Sequence, residues 1–442
     1  MKLNLEYELA SHDSTEKLDQ WLSKGQQCLE DLKNKSCKGS EFLGWFDWPK
    51  NHGFEQLEKL EKDKNNYPLH YNLIVVVGIG GSYLGVKAVE ESFKHCHQML
   101  MNKPSQHLPI VYLGNNLSES YILEQLEVLD EYEPLVFVVS KSGNTLEPNI
   151  SFSILEKYLS SRYTTKEANE RSIFITNEKD GFLKEKMDLN GNKVYNVPQD
   201  VGGRFSVFTA VGLAPLTYAG FDTRSLLQGA HTLFDQINFA QDQSKDVSYH
   251  PAVTYASLRR LLWDEGKKME VMAYSDPKLF SLVEWWKQLF GESEGKNDLG
   301  LFPAGVLYSS DLHSLGQYMQ QGYPSMIETF LSFDKRQEGN IRPSEERLRV
   351  PVGNCKKDAL SAFRGHYIED VNNAAMKAAR AAHLDRGIPC CNLSLSNLSL
   401  NSIGYLLAFF QVSCAVSALL LNLNPFDQPG VEQYKKKLVK FI

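Results

Sequence analysis

The sequence predicts an α/β protein with parallel sheets, and three observations carry that expectation. Short apolar, β-branched runs recur along the chain, each long enough for a buried strand and too short for a helix. They alternate with stretches of helical periodicity, the order that gives parallel strands joined by crossovers. Two of the runs, Ile74–Val77 and Val136–Val139, break at their C-terminal ends into glycine- and serine-rich loops that lead straight into helical patterns.

Taken in order, residues 1–66 read as an N-terminal helical arm. Leu18, Trp21, Leu22, Leu29 and Leu32 repeat at helical spacing, with Gly25 and Cys28 on the same face. Phe42 to Pro49 is an aromatic connector suited to core packing, and Phe54, Leu57 and Leu60 mark a short helix. Residues 67–240 form a first α/β domain, with strands expected at 73–77, 109–113, 135–139, 172–176 and 193–197. The stretch from Phe221 to Lys245 is helical and polar and is expected to cross between domains. Residues 241–442 form a second α/β domain. It opens with a helix carrying Tyr255, Leu258, Leu261 and Leu262, and its strands are expected at 269–273, 305–309, 326–331 and 392–395. Asp334 to Arg347, charged and carrying Gly339 and Pro343, reads as a surface excursion. Tyr405 to Leu421 is apolar but interrupted by Gln411, Ser413 and Ser417. It falls short of the roughly 18–20 residues a membrane span needs, so a buried core helix is expected. Two similar halves suggest an internal duplication, although no repeat is visible residue by residue.

Composition narrows the function classes. Over 442 residues, 42% are hydrophobic and 23% charged, the balance of a chain that builds large cores. A net charge of −7 offers no basic surface for nucleic acid. The seven cysteines are scattered without a C-x-x-C pair, which fits reduced thiols. Met1 to Glu8 lacks a basic stretch followed by an apolar one, so no secretory signal and a cytoplasmic location are expected.

The loop Ser140-Lys141-Ser142-Gly143-Asn144-Thr145 places three hydroxyls and a helix N-terminus above the end of a buried strand, where an anion is favoured. An N-capped turn with no ligand uses the same residue types, and alone it would be the better reading. The second loop, Gly78-Ile79-Gly80-Gly81-Ser82, tips the balance. It is not a dinucleotide fingerprint: Tyr83 stands where the third glycine belongs, and the strand 110–113 ends in Gly114-Asn115-Asn116 without a ribose-binding acid. Paired loops of this kind suit a small phosphorylated ligand.

Together the two loops resemble the sugar-isomerase (SIS) domain, a doubly wound parallel sheet that binds phosphosugars. Three further stretches narrow the resemblance: Asp200-Val-Gly-Gly-Arg204-Phe-Ser206, Phe290-Gly-Glu292-Ser-Glu294-Gly-Lys296, and Asn424-Pro-Phe-Asp427-Gln428 running to Lys435. From about Leu43 to about Lys437 the chain is similar to the phosphoglucose isomerase family, with all five motifs in family order. The resemblance implies two doubly wound SIS domains with a C-terminal helix. It also implies isomerisation of glucose 6-phosphate and fructose 6-phosphate through an enediol, in glycolysis and gluconeogenesis. No metal or nicotinamide cofactor is required. Between Gly353 and Leu400 the family pattern is weak, which leaves the strand order of the second domain open.

The chemistry needs a base to move a proton between C2 and C1, a cation for the enediolate, a pair to open the sugar ring, and a phosphate site. Glu292 matches the base; a glutamate in a polar loop is ordinarily just a surface carboxylate, and only the resemblance prefers 292 over 294. Arg204 follows two glycines that let backbone approach a ligand, and its fixed cation suits the enediolate; an isolated arginine would more often be a structural ion pair. His313 is one of eleven histidines, and the resemblance gives it ring opening together with a lysine, donated across a homodimer interface. Lys435 is the matching lysine, in a run that would otherwise read as a solvated helix face. For phosphate and sugar the resemblance implies Ser140, Lys141, Ser142, Thr145 and Gln428, with Gly81 and Ser82 nearer the sugar. Two rivals remain: a non-catalytic phosphosugar sensor, which would need the loops but not Glu292, His313 and Lys435, and an isomerase of another sugar such as mannose 6-phosphate.

Overall fold

In the computed structural model, described over residues 3–9, 14–101, 105–177, 181–239, 249–334, 348–352, 360–431, 437–438 and 440–441, the apolar runs assemble into two five-stranded sheets. Strand β1 (Leu3–Glu8) precedes helices α1 (Ser14–Lys33) and α2 (Phe54–Asn65). The first sheet is built from β2 (Leu73–Val77), β3 (Ile110–Leu113), β4 (Pro134–Val139), β5 (Ser172–Thr176) and β6 (Val194–Asn196). Its crossovers are α3 (Leu84–Phe93), α4 (Glu119–Asp130), α5 (Leu146–Arg162), α6 (Thr165–Glu170) and α7 (Phe182–Asn190). Helices α8 (Ala210–Ala219), α9 (Thr223–Phe239) and α10 (Pro251–Asp264) lead to the second sheet. There β7 (Met269–Tyr274), β8 (Phe302–Leu307), β9 (Met326–Phe333) and β10 (Cys390–Leu395) are joined by α11 (Phe280–Glu294), α12 (Gly316–Gln321) and α13 (Ile368–Asp385). Helix α14 (Leu400–Leu420) follows β10.

The first sheet has the order β3-β2-β4-β5-β6 with every pair parallel. Its inner strands are apolar at nearly every position because both faces are covered. Ile74, Val76, Leu135, Phe137 and Val139 face the large central core, while Val75, Val77, Val136 and Val138 face a second core under α4 and α5. The winding reverses between β2 and β4, so the crevice beyond their C-terminal ends lies at a topological switch point, where open α/β sheets bind ligands.

The second sheet, β1-β10-β9-β7-β8, is parallel among its last four strands. It settles the order left open around residues 353–400: β10 pairs with β9, and a strand unanticipated within the expected helical arm of residues 1–66, β1, caps that edge antiparallel with Leu3 opposite Leu395. Residues 335–347 of the expected charged excursion and 240–245 of the expected crossing lie outside the described residues. The apolar stretch near the C-terminus is α14, buried almost throughout. Long and apolar enough to cross a membrane, it runs instead through the central core beside α1, α9, α10 and α11. Helices α9 and α14 meet backbone to backbone: a Cβ on Gly404 would fall 1.8 Å from the Leu226 carbonyl, and one on Gly229 would fall 1.9 Å from that of Asn401.

Candidate active site

Two loops leave adjacent parallel strands and turn toward the same crevice. After β2 the chain closes a 3-10 turn at Gly80–Ser82 before α3 begins. After β4 the Ser140 N–H still pairs with the Ile175 carbonyl at 3.1 Å, and the chain then turns through Gly143 into α5. Thr145 caps α5 with extended backbone and leaves its own hydroxyl free of the cap; that hydroxyl pairs with Ser140 Oγ at 3.2 Å. Ser142 is exposed, and its Oγ accepts from the Asn144 N–H at 3.2 Å. The Ser140 and Thr145 hydroxyls lean on each other, Ser142 stands in the same turn, and each of the three can rotate to donate to an anion seated at the α5 N-terminus. Lys141 points elsewhere: its ammonium donates to the carbonyls of Gln199 at 2.7 Å and Val201 at 2.9 Å. Burial pushes its pKa down, against the pull of the Asp200 carboxylate.

A third loop packs on the first. A Cβ on Gly81 would lie 2.1 Å from the Gly203 carbonyl, so only glycine allows the two backbones to touch. This contact seats the 3-10 turn Gly203–Phe205 and fixes the origin of Arg204. Arg204 is 5% exposed, and its guanidinium is fully engaged. Nη1 donates to Glu292 Oε2 at 2.8 Å and to Gln428 Oε1 at 2.9 Å. Nε donates to Ser293 Oγ at 3.1 Å, and Nη2 to the carbonyls of Pro425 at 3.0 Å and Asp427 at 3.3 Å. A buried guanidinium held by this many fixed acceptors is a rigid positive charge, the form that stabilises a developing oxyanion best.

Glu292 does not sit in a polar loop, as the sequence suggested. Helix α11 continues through Gly291 and ends at Glu294, so Glu292 stands in its last turn with its carboxylate 36% exposed. Gln288, one turn earlier on the same face, donates to Glu292 Oε1 at 3.1 Å. The amide of Gln288 also lies against Gly80 of the first loop. Glu294 points the other way and is 1% exposed. The Gln428 segment is tied to the same helix end, because Lys296 pairs with Asp427 at 2.6 Å and with the Asn424 carbonyl.

The structure therefore brings Gly81, Arg204, Glu292 and Gln428 into one cluster and gathers Ser140, Ser142 and Thr145 in the neighbouring loop. Ser82 is half-buried in the first turn. His313 stands exposed on the 3-10 turn Ser310–His313 after β8, and among the described residues it makes no hydrogen bond to that cluster. Lys435 lies outside the described residues. Sequence reasoning missed Gln288 and Ser293. The i, i+4 spacing of Gln288 and Glu292 was a usable signal, hidden by ending the helix before Glu292.

A family model described as phosphoglucose isomerase matches residues 69–442. Over 443 aligned positions, 100% of this chain and 96% of the relative, the chain is 37% identical to the glucose-6-phosphate isomerase of Fusobacterium nucleatum. It is 38% identical to that of Acetivibrio thermocellus over 93% of this chain and 89% of the relative. A hypothetical protein from Thermus thermophilus superposes with a TM-score of 0.84 at 26% identity over 99% of each chain. The crystal structure of a glucose-6-phosphate isomerase from Chlamydia trachomatis has the same fold, with a TM-score of 0.78 at 19% identity over 99% of this chain and 88% of that one.

Proposed function

The chain belongs to the phosphoglucose isomerase family, and on that premise we propose that it interconverts glucose 6-phosphate and fructose 6-phosphate through an enediolate, the aldose–ketose step shared by glycolysis and gluconeogenesis. One observation carries the assignment of the site: a buried Arg204 holds Glu292 and Gln428 on one nitrogen, beside two loops at a topological switch point. The substrate phosphate rests on the Ser140, Ser142 and Thr145 hydroxyls at the α5 N-terminus, with Ser82 and Gly81 toward the sugar. Lys141 acts at a remove, tying the phosphate loop to the loop that carries Arg204.

Glu292 takes the proton from C2 and returns it to C1, so one carboxylate serves both carbons. Gln288 holds that carboxylate from one side and Arg204 from the other. As the carbonyl oxygen gains charge, Arg204 already carries the compensating positive charge, with no reorganisation at the moment of reaction. Gln428, held by the same Arg204 nitrogen as Glu292, is a further contact for the substrate phosphate. His313 and Lys435 open the sugar ring before proton transfer.

We place His313 in the site of a second copy of the chain, so that the protein works as a homodimer with shared active sites. His313 stands apart from Glu292 on an exposed turn, and the segment that follows it exposes Leu315, Tyr318 and Tyr323. Apolar side chains of that size beside a reactive histidine favour a second subunit as their cover. A cytoplasmic location fits the six free cysteines among the described residues.

An assay coupled to oxidation of glucose 6-phosphate tests the reading directly. Purified protein supplied with fructose 6-phosphate turns over continuously. Binding of the phosphosugar with no turnover would instead mean a non-catalytic sensor.

A further inference from the structure

Three consecutive residues at the end of α11 are each held by a buried guanidinium. Glu292 and Ser293 bind Arg204, as described above. Glu294, two residues beyond the proposed base and therefore on the opposite side of the helix, meets Arg259 of α10: its Oε2 lies 2.6 Å from Arg259 Nη2. Both groups are closed to water, at 1% and 2% exposure. Arg259 also sits over the ring of Phe290, one turn earlier on the same face of α11, with its guanidinium carbon 4.2 Å from the ring centroid. It thus grips the last turn of α11 at two points one turn apart. The other side of Arg259 is fixed by Glu270 of β7, whose carboxylate pairs with it and is held in turn by the Tyr255 hydroxyl and, at 2.7 Å, by Thr329 Oγ1. Ser417 of α14 lies 3.4 Å from Arg259 Nε.

From this geometry we propose that Arg259 and Glu294 form a positioning pair: they set the rotation of the last turn of α11 and so aim Glu292 at the substrate, without touching it themselves. The inference rests on the proposed role of Glu292. A helix terminus ordinarily frays, because its last carbonyls lack intrahelical partners. A general base cannot tolerate that freedom, since a misplacement of about 1 Å can cost about 10²-fold in rate. A buried ion pair suits the task better than an apolar contact. It has a single well-defined geometry, and losing one partner leaves an uncompensated charge in the core.

The test compares Glu294→Ala, Glu294→Gln and Glu133→Gln in full-length protein, with Glu292→Gln in the same assays. Glu294→Ala is expected to lower kcat by about 10- to 100-fold while KM for fructose 6-phosphate stays within about 2-fold. Glu294→Gln keeps a hydrogen bond to Arg259 and is expected to recover most of that loss. Glu133→Gln perturbs the ion pair of the buried Arg171 at the N-terminal ends of β4 and β5, away from α11, and is expected to keep kcat within about 3-fold, which separates aim from bulk stability. The double variant Glu292→Gln/Glu294→Ala should be no slower than Glu292→Gln alone, because the pair acts only through Glu292. A folded Glu294→Ala with unchanged kcat, an equal loss in Glu133→Gln, or an additive double variant would overturn the proposal. If Glu294→Ala does not fold, Glu294→Gln and Arg259→Lys decide by the same split: kcat reduced by about 3-fold or more at constant KM supports the pair, and unchanged kcat overturns it. An active Glu292→Gln would mean that the base itself was misassigned, a result distinct from each of these.

Discussion

At the scale of single residues, Arg204 joins the site together: one guanidinium nitrogen holds Glu292 and Gln428, and Nε holds Ser293. Gly202-Gly203-Arg204 and the two hydroxyl-rich loops announced a ligand because few structural roles demand such residues together. The direction of Lys141 could not be read. A lysine among hydroxyls at a helix N-terminus suggests a phosphate ligand, yet its ammonium is taken by the carbonyls of Gln199 and Val201. Ser293 was equally silent, since a serine on a helix is ordinary until Arg204 is seen beside it. The phosphate loop gives a prediction at this scale. Replacing Ser142 and Thr145 together by alanine removes two donors to a charged group, at about 1–3 kcal/mol for such bonds. KM for fructose 6-phosphate should rise about 10-fold or more with the fold intact by circular dichroism. An unchanged KM would place the phosphate elsewhere.

At the scale of elements, the strands were the most legible part. The runs at 73–77, 135–139 and 172–176 are apolar at nearly every position and buried throughout, which only a strand covered on both faces requires. Strand β1 was missed although Leu3, Leu5 and Tyr7 alternate with polar residues, because it is short and its partner β10 is remote in sequence. The end of α11 was missed for a different reason. Gly291 weakens a helix by about 1 kcal/mol relative to alanine. Bonds made by Ser293 and Glu294 to two arginines outweigh that cost, and no local signal carries them. Helix α10, which supplies Arg259, yields a pH prediction through its cap. His250 Nδ1 accepts from the Ala252 N–H at 3.1 Å, which requires a neutral ring, and burial pushes the His250 pKa down to about 4. A depressed imidazole contributes stability above its unfolded value of about 6.5, and that contribution is lost as pH falls toward 4. Between pH 7.5 and 5 the loss is about 2 kcal/mol by linkage. His250→Asn retains a capping side chain without the titration. Its unfolding free energy should therefore fall less than that of the wild type over this range. Parallel denaturation curves at the two pH values would contradict the assignment.

At the scale of the whole molecule, the duplicated α/β plan was visible in the alternation of strand and helix, while the joining of the halves was not. The central core draws on both sheets and on α9, α10 and α14, and the close approach at Gly229 and Gly404 that seats two of these helices leaves no pattern in sequence. Sharing of sites between subunits is testable by complementation. Inactive Glu292→Gln and His313→Ala chains, mixed and allowed to exchange subunits, should regain about a quarter of wild-type turnover, because a hybrid dimer holds one site with both groups intact. Full activity in a demonstrably monomeric sample would rule out the shared site. We propose that one carboxylate, Glu292, carries the proton between C2 and C1, and hydrogen exchange at C2 reports on that transfer. In heavy water the wild-type enzyme should incorporate deuterium at C2 of glucose 6-phosphate. Glu292→Gln should lose that exchange together with isomerisation by about 10³-fold, while still binding a phosphosugar analogue. Exchange at near wild-type rates in Glu292→Gln would contradict the account.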